Sequence, residues 1–305
     1  MSDEDERGFV FHSSQGETEF SIEEVKELAS RKDPDGLYAL GMAYLYGWDI
    51  EADEKLGYEY LEMASDRGQT EAMTLLVHMF MEGEYEGINP YEAATLSIKA
   101  AKDGIPEAQL YAGLAYMDGV SVRQDYEEAA RYFRLAANQG NDEARVDLAY
   151  LIQEGLGTPK DEKKAFMMFR TAAKNGNVNG MFHLGICYEF GIGTKTDLAK
   201  CMEMYRKASD MGDPYSSERL GFILYEGRDG IEQDVDASFE LFVKAANMGI
   251  PTSMHIVGLF YLQGISVEKD ESEARKWLKM AADSGIEDAK EVLSELDDTP
   301  PQPRC

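Results

Sequence analysis

The stretch Glu107–Gly140, EAQLYAGLAYMDGVSVRQDYEEAARYFRLAANQG, decides the fold. Leu110, Leu114 and Met117 recur at three- and four-residue spacing, the period of a helix with one apolar face. Gly119 stands where that helix must stop and a residue of positive φ is wanted. Asp125 can then accept an orphan backbone N–H at the start of a second helix. Glu128, three residues on, has capping-box spacing to it. The second helix ends at Gly140. The unit is helix A, a short loop, helix B and a tight turn.

The same unit recurs on both sides. The closing glycines are Gly68, Gly104, Gly140, Gly176, Gly212, Gly249 and Gly285, spaced 36, 36, 36, 36, 37 and 36 apart. Four residues before each stands Ala: Ala64, Ala100, Ala136, Ala172, Ala208, Ala245 and Ala281. A second series, Gly47, Gly83, Gly119, Gly155, Gly191, Gly227 and Gly264, marks the A–B loops. Six residues before each is a small residue, except at Val77. Six or seven after each is an N-cap candidate: Asp53, Asn89, Asp125, Asp161, Asp197, Asp234 or Asp270. Small residues at fixed helical positions let neighbouring helices approach closely. Pro34, Pro106, Pro214 and Pro251 fall at the first position of helix A, where the missing N–H costs nothing.

One such hairpin cannot bury its apolar face alone, whereas stacked neighbours can. The fold predicted is all-α, a right-handed α/α superhelical solenoid of seven repeats over residues 33–285, with a capping helix at each end. The N-terminal cap is residues 21–32, opened by Ser21 and Glu24 at capping-box spacing. The C-terminal cap is residues 286–296. Residues 1–20 and the Pro-rich tail 297–305 are expected to lack regular structure. Length alone would suggest two domains at about 150 residues each; the unbroken period predicts one continuous array instead.

The pattern A-x4-LG-x2-Y-x2-G, G-x-D-x3-A, W/Y-x-KAA-x2-G resembles the Sel-1-like repeat family, a relative of the tetratricopeptide repeat. The copy from Asn179, NGMFHLGICYEFGIGTKTDLAKCMEMYRKASDMG, carries it alongside the copy from Glu107. The resemblance covers residues 33–285. It implies an adaptor or scaffold that binds another protein and has no catalytic activity. One cysteine-rich branch of the family, with a disulfide in each repeat, is linked to β-lactam binding, and this gives an enzymatic alternative. Cys187 and Cys201 lie 14 apart in a single repeat without counterparts elsewhere, which disfavours that branch. A self-associating structural protein is the third alternative.

Charge narrows the partners. Fifty-eight acidic against 30 basic residues give −28. Nucleic-acid phosphates and anionic membranes reward the opposite sign. No stretch is long and apolar enough to read as a membrane span. The opening MSDEDERGFVFHSS lacks the basic and apolar regions of a secretory signal. With three unpatterned cysteines, this predicts a cytoplasmic location. GLGTPKD and GIGTKTD look like phosphate loops but lack the Gly-Lys-Ser/Thr ending. The four histidines have no metal-ligand spacing. Neither cofactor nor metal is expected.

By analogy with tetratricopeptide stacks, helix A of each repeat lines a concave face. Counting from the small residue, the inward positions give Tyr38, Met42 and Tyr46 in the first repeat, then His78 and Glu82, Leu114 and Asp118, Tyr150 and Glu154. Phe182 and Ile186, Phe222 and Glu226, and His255 follow. The wall is aromatic, aliphatic and acidic. Glu82, Asp118, Glu154 and Glu226 occupy the last turn of helix A, where a carboxylate opposes the helix dipole by about 0.3–1 kcal/mol. They are therefore expected to serve a basic or amphipathic segment of a partner protein. Glu71, Glu107 and Glu143 sit in the first turn, where the dipole favours them.

Overall fold

A computed structural model describes residues 9–13, 16–228 and 230–298. Its elements follow the glycines and caps. After a short antiparallel hairpin, β1 (Phe9–Ser13) and β2 (Gly16–Phe20), comes the capping helix α1 (Ile22–Ser30). Then come α2 (Pro34–Tyr46), α3 (Glu54–Asp66), α4 (Thr70–Met81), α5 (Pro90–Ala100), α6 (Pro106–Asp118), α7 (Tyr126–Asn138) and α8 (Asp142–Glu154). The series continues with α9 (Glu162–Lys174), α10 (Val178–Phe190), α11 (Leu198–Asp210), α12 (Pro214–Glu226), α13 (Val235–Asn247), α14 (Pro251–Gln263), α15 (Glu271–Asp283) and α16 (Glu287–Asp298).

The chain divides into two compact units, where the sequence period predicts one array. The first holds the described residues up to Leu151 with Gly155–Pro159. The second holds Ile152–Glu154 and the described residues from Lys160 onward. The division falls within α8. Repeats that touch only their neighbours share no single central core. Separate clusters form instead, one around Leu37, Leu61 and Leu76 and another around Phe242, Val257 and Leu278.

The hairpin departs from the expectation for residues 1–20. Phe9 pairs with Phe20 and Ser13 with Gly16, and Phe20 packs against the cluster of Ile22, Val25 and Leu37. Aromatic and β-branched residues favour strands, and the half-buried Phe20 gives this one an anchor. Residues 1–8 and 14–15 of that segment lie outside the described residues. At the other end α16 runs to Asp298, past the expected 296, and the remainder of the tail, Cys305 included, lies outside the described residues.

Three backbone devices repeat. First, all seven predicted N-cap residues accept the N–H of the third helical residue: Asp53, Asn89, Asp125, Asp161, Asp197, Asp234 and Asp270. Second, in six repeats the cap's own N–H donates back to a carbonyl of helix A, as Asp125 does to Tyr116 at 2.9 Å and Asp197 to Tyr188 at 2.9 Å. Third, in six repeats the N–H after the closing glycine donates to the carbonyl of the Ala four before it, as Asn141 does to Ala136 at 3.1 Å. This is the Schellman closure, and its glycine at φ 97° is Gly140. The capping box expected at Asp125–Glu128 does not close, and neither does Asp270–Glu273, which has the same spacing. Glu128 is taken by Arg131 and Glu273 by Lys276, each one turn along the same helix. The box at Ser21–Glu24 does close.

Helices A and B lock through size. A Cβ on Gly113 would lie 2.4 Å from the Phe133 ring, and one on Gly185 2.4 Å from the Tyr205 ring. Gly41 opposes Leu61 and Gly258 opposes Leu278 in the same way. All four large partners are completely buried. The α4/α5 repeat reverses this scheme. Val77 stands at the small position and Ser97, also buried, at the large one. The two line a shared cavity of about 130 Å³ with Ala93, Ala94 and Leu114. The same repeat lacks both the cap-to-helix-A bond and the Schellman bond. Asn89 donates instead to Glu92, and a 3-10 turn, Ala101–Asp103, follows α5.

Candidate functional site

In the first unit, the A helices α4, α6 and α8 bring together a group of polar side chains. His78 Nδ1 lies 2.7 Å from the Tyr111 hydroxyl. Burial, then the charges of Glu143, Glu82 and Glu107, push the Tyr111 phenol up to about 12. Asp147 is largely buried. Desolvation first, then Glu143 and Asp118, push its carboxyl up to about 7. No ion-pair partner for Glu82, Asp118, Glu143 or Asp147 occurs among the described residues. The nearby cation Arg145 is taken by Asp142. Like charges thus face each other with no internal cation to neutralise them.

Apolar surface lies beside Asp118 and, separately, on the first repeat. Leu114 and Asp118 line the cavity beneath α4 and α6 together with Phe80 and Met81. Tyr46 stacks on Trp48 with centroids 5.1 Å apart, and both rings are about half exposed. Tyr38 and Met42 are half-buried, and Tyr38 packs on the core of its unit. Tyr150 and Glu154 are exposed on α8.

The second unit places its expected site residues differently. Phe182 is half-buried among His183, Tyr205 and Tyr215. Phe222 lies edge-on to Phe242 at 5.0 Å, and Ile186 packs on the cluster of Cys201 and Tyr205. These side chains fill the space between helices and offer little free wall. Glu226 is ion-paired to Arg228 at 3.0 Å. Arg228 also reaches Glu189 at 2.5 Å, a carboxylate that accepts the Tyr205 hydroxyl at 2.8 Å. His255 is half-buried, its Nδ1 has no hydrogen-bond partner among the described residues, and desolvation lowers its pKa. Cys187 and Cys201 are buried and in no disulfide. Burial pushes each thiol up to about 12 and keeps it protonated at neutral pH, so neither is an activated nucleophile.

Tyr111 and Asp147 are functional candidates that the inward-position count misses. Both sit two residues before the small residue of helix A, a class not included in that count. Glu143 is also missed, since the helix dipole alone accounts for an acid in the first turn. Its action on Tyr111 depends on tertiary proximity, whereas Asp147 lies one turn along the same helix.

Helical hairpins repeated with these caps, turns and glycine locks define a solenoid of the tetratricopeptide-related class. The sequence profile of the Sel1 repeat matches residues 34–69, 106–141, 142–177, 178–213, 214–250 and 251–286. The chain belongs to the Sel1 repeat family. Between the matched copies, the unmatched stretch 70–105 is the α4/α5 repeat, the one with the reversed lock and the missing turn bonds. The chain is similar to a Sel1 repeat protein from Oxalobacter formigenes, at 28% identity and a TM-score of 0.72, over 90% of this chain and 79% of that one. It is also similar to c5321, a protective antigen of uropathogenic Escherichia coli with the same fold. That match has 25% identity and a TM-score of 0.66, over 92% of this chain and 61% of that one. Sel1 repeat proteins are generally protein-interaction scaffolds and typically non-catalytic. Among the described residues no helix is long and apolar enough to cross a membrane.

Proposed function

We propose that this protein is a non-enzymatic adaptor whose first unit holds a basic, amphipathic segment of a partner protein on its A-helix face. The observation that carries this reading is the unpaired carboxylate group Glu82, Asp118, Glu143 and Asp147 around Tyr111 and His78. Keeping Asp147 largely buried beside two like charges is unfavourable in the free protein. A lysine or arginine from outside relieves that repulsion, and the desolvated setting strengthens the pair relative to water. The apolar flank at Leu114 and the stacked rings of Tyr46 and Trp48 suit the apolar side of such a segment. Tyr150 extends the same surface along α8. The reading places the partner site in the first unit, where the acids are unneutralised.

A helical peptide of about four turns, with Lys on one side and Leu on the other, tests it. Fluorescence anisotropy against the full chain should show binding that weakens as salt is raised to about 0.3 M. The triple variant Glu82→Gln, Asp118→Asn, Glu143→Gln should lose roughly tenfold or more in affinity while folding normally. Unchanged affinity of that variant at low salt would refute the reading.

A further inference from the structure

The second unit carries a surface of opposite character. Residues 160–207 contain nine Lys and Arg against five Asp and Glu, a local excess of +4 in a chain of −28. Four of these cations, Arg170, Lys174, Lys200 and Lys207, line a trough of about 570 Å³. The B helices α9 and α11 form its sides. Its floor is apolar, with Met181 and Leu184 of α10 buried and Tyr188 and Met204 half-buried. Lys200 and Lys207 are each held by one carboxylate of their own helix, Asp197 at 2.7 Å and Glu203 at 2.7 Å. Arg170 and Lys174 have no ion-pair partner among the described residues. Arg170 lies 5.8 Å over the Phe166 ring and Lys200 lies 5.5 Å over the Tyr188 ring.

We infer that this B-helix trough is a second docking surface, and that its occupant is an acidic amphipathic segment of another protein. Charge complementarity selects the sign. The cations stand along the two sides, so an occupant lying between them meets positive charge on each flank. The floor selects the kind of polyanion. Met181, Leu184 and Met204 can bury an apolar anchor, which a peptide carries and a nucleic-acid backbone does not. Methionine adapts to anchors of different shape. The −28 charge of the whole chain opposes the approach of long polyanions and anionic bilayers, whose charge extends beyond the trough. A short segment with a few carboxylates is repelled much less and can be seated within roughly one Debye length of the local excess. This surface is formed by B helices and is independent of the A-helix face of the first unit. A chain with both would join a basic segment and an acidic segment that do not otherwise meet.

The test uses the full chain and a labelled helical peptide of about four turns with Glu flanking a Leu stripe. Its sequence twin with Lys for every Glu, a single-stranded oligothymidine and phosphatidylserine vesicles are run in parallel. Anisotropy should show the acidic peptide bound at low salt. The exposed-residue variant Lys174→Glu, Lys207→Glu should weaken it roughly tenfold or more. The Lys twin should bind that variant as it binds the parent protein, which separates this trough from the acidic face. Met204→Ala should also weaken the acidic peptide without altering salt dependence. If charge reversal disturbs the circular dichroism spectrum, Arg170→Gln, Lys174→Gln replaces it with the same expectation. Absence of acidic-peptide binding, or binding indifferent to these substitutions, overturns the inference. So does lysine-dependent binding of oligothymidine or vesicles without the peptide. Lysine-dependent self-association seen by sedimentation, without peptide binding, would assign the trough to a second copy and likewise overturn it.

Discussion

Replacing Asp147 by Asn should stabilise the protein, and by an amount that grows with pH. The carboxyl has an ordinary value of 3.8 and is raised to about 7 by burial, Glu143 and Asp118. Below about pH 3 the group is protonated in folded and unfolded chains alike, so it contributes no penalty. As pH rises, the unfolded chain ionises first and binds fewer protons than the folded one. Stability therefore falls until the folded carboxyl has also ionised, above about pH 7. The full loss for a shift of this size is roughly 4 kcal/mol, with about 2 already present at pH 5. Asn keeps the shape of the side chain and removes the ionisation. Its advantage over the parent should be about 2 kcal/mol at pH 5 and about 4 at pH 8. Urea unfolding followed by circular dichroism reads this. For a slope near 2 kcal/mol per molar, the midpoint difference should widen by about 1 M between the two pH values. An equal gain at both pH values, or a loss at pH 8, would refute the placement of an unneutralised carboxylate there.

Three further outcomes follow from the packing. Gly113→Ala gains about 1 kcal/mol of helix propensity but forces a methyl against the Phe133 ring, so a net loss of about 1–2 kcal/mol should appear in urea unfolding. Glu189→Ala removes the carboxylate shared by Arg228 and Tyr205; a loss of about 2–3 kcal/mol is expected, discounted because the Arg228 side chain is partly exposed, and Glu189→Gln should retain part of it. Ser97→Leu fills the cavity that the reversed Val77–Ser97 lock leaves, and should raise the urea midpoint by an amount equivalent to about 1 kcal/mol.

Much of this architecture is written in the local sequence. Glycine at positive φ, Asp or Asn at a helix start and Pro at the first helical position each act within one turn of the chain. Their spacing therefore locates the helices, and the resemblance to the Sel1 repeat follows from the same residues. The reversed lock in α4/α5 is legible too, since Val77 breaks the small-residue series. Its partner Ser97 becomes visible only when positions twenty residues apart are compared. The candidate site is less legible. Phe182, Ile186 and Phe222 have the residue types of a binding wall, yet the neighbouring B helix fills the space around them. Glu226 has the position of a free rim acid, but its ion pair with Arg228 depends on the path of a loop. Asp147 shows the opposite case, a residue unremarkable in sequence whose charge matters because α6 and α8 set Asp118 and Glu143 beside it. The hairpin at Phe9–Phe20 likewise depends on Phe20 finding the first core.

The proposed adaptor surface is tested most directly by the protons that binding displaces. A cation seated on Glu143, Asp118 and Asp147 must lower the Asp147 pKa from about 7 toward the ordinary carboxylate range. Titration calorimetry of the Lys/Leu peptide at pH 7, repeated in buffers of different ionisation enthalpy, counts that release. About half a proton should leave per peptide bound, and Asp147→Asn should abolish the release while the peptide still binds. Binding with no proton release, or release that survives the Asn substitution, would place the partner elsewhere and contradict the account.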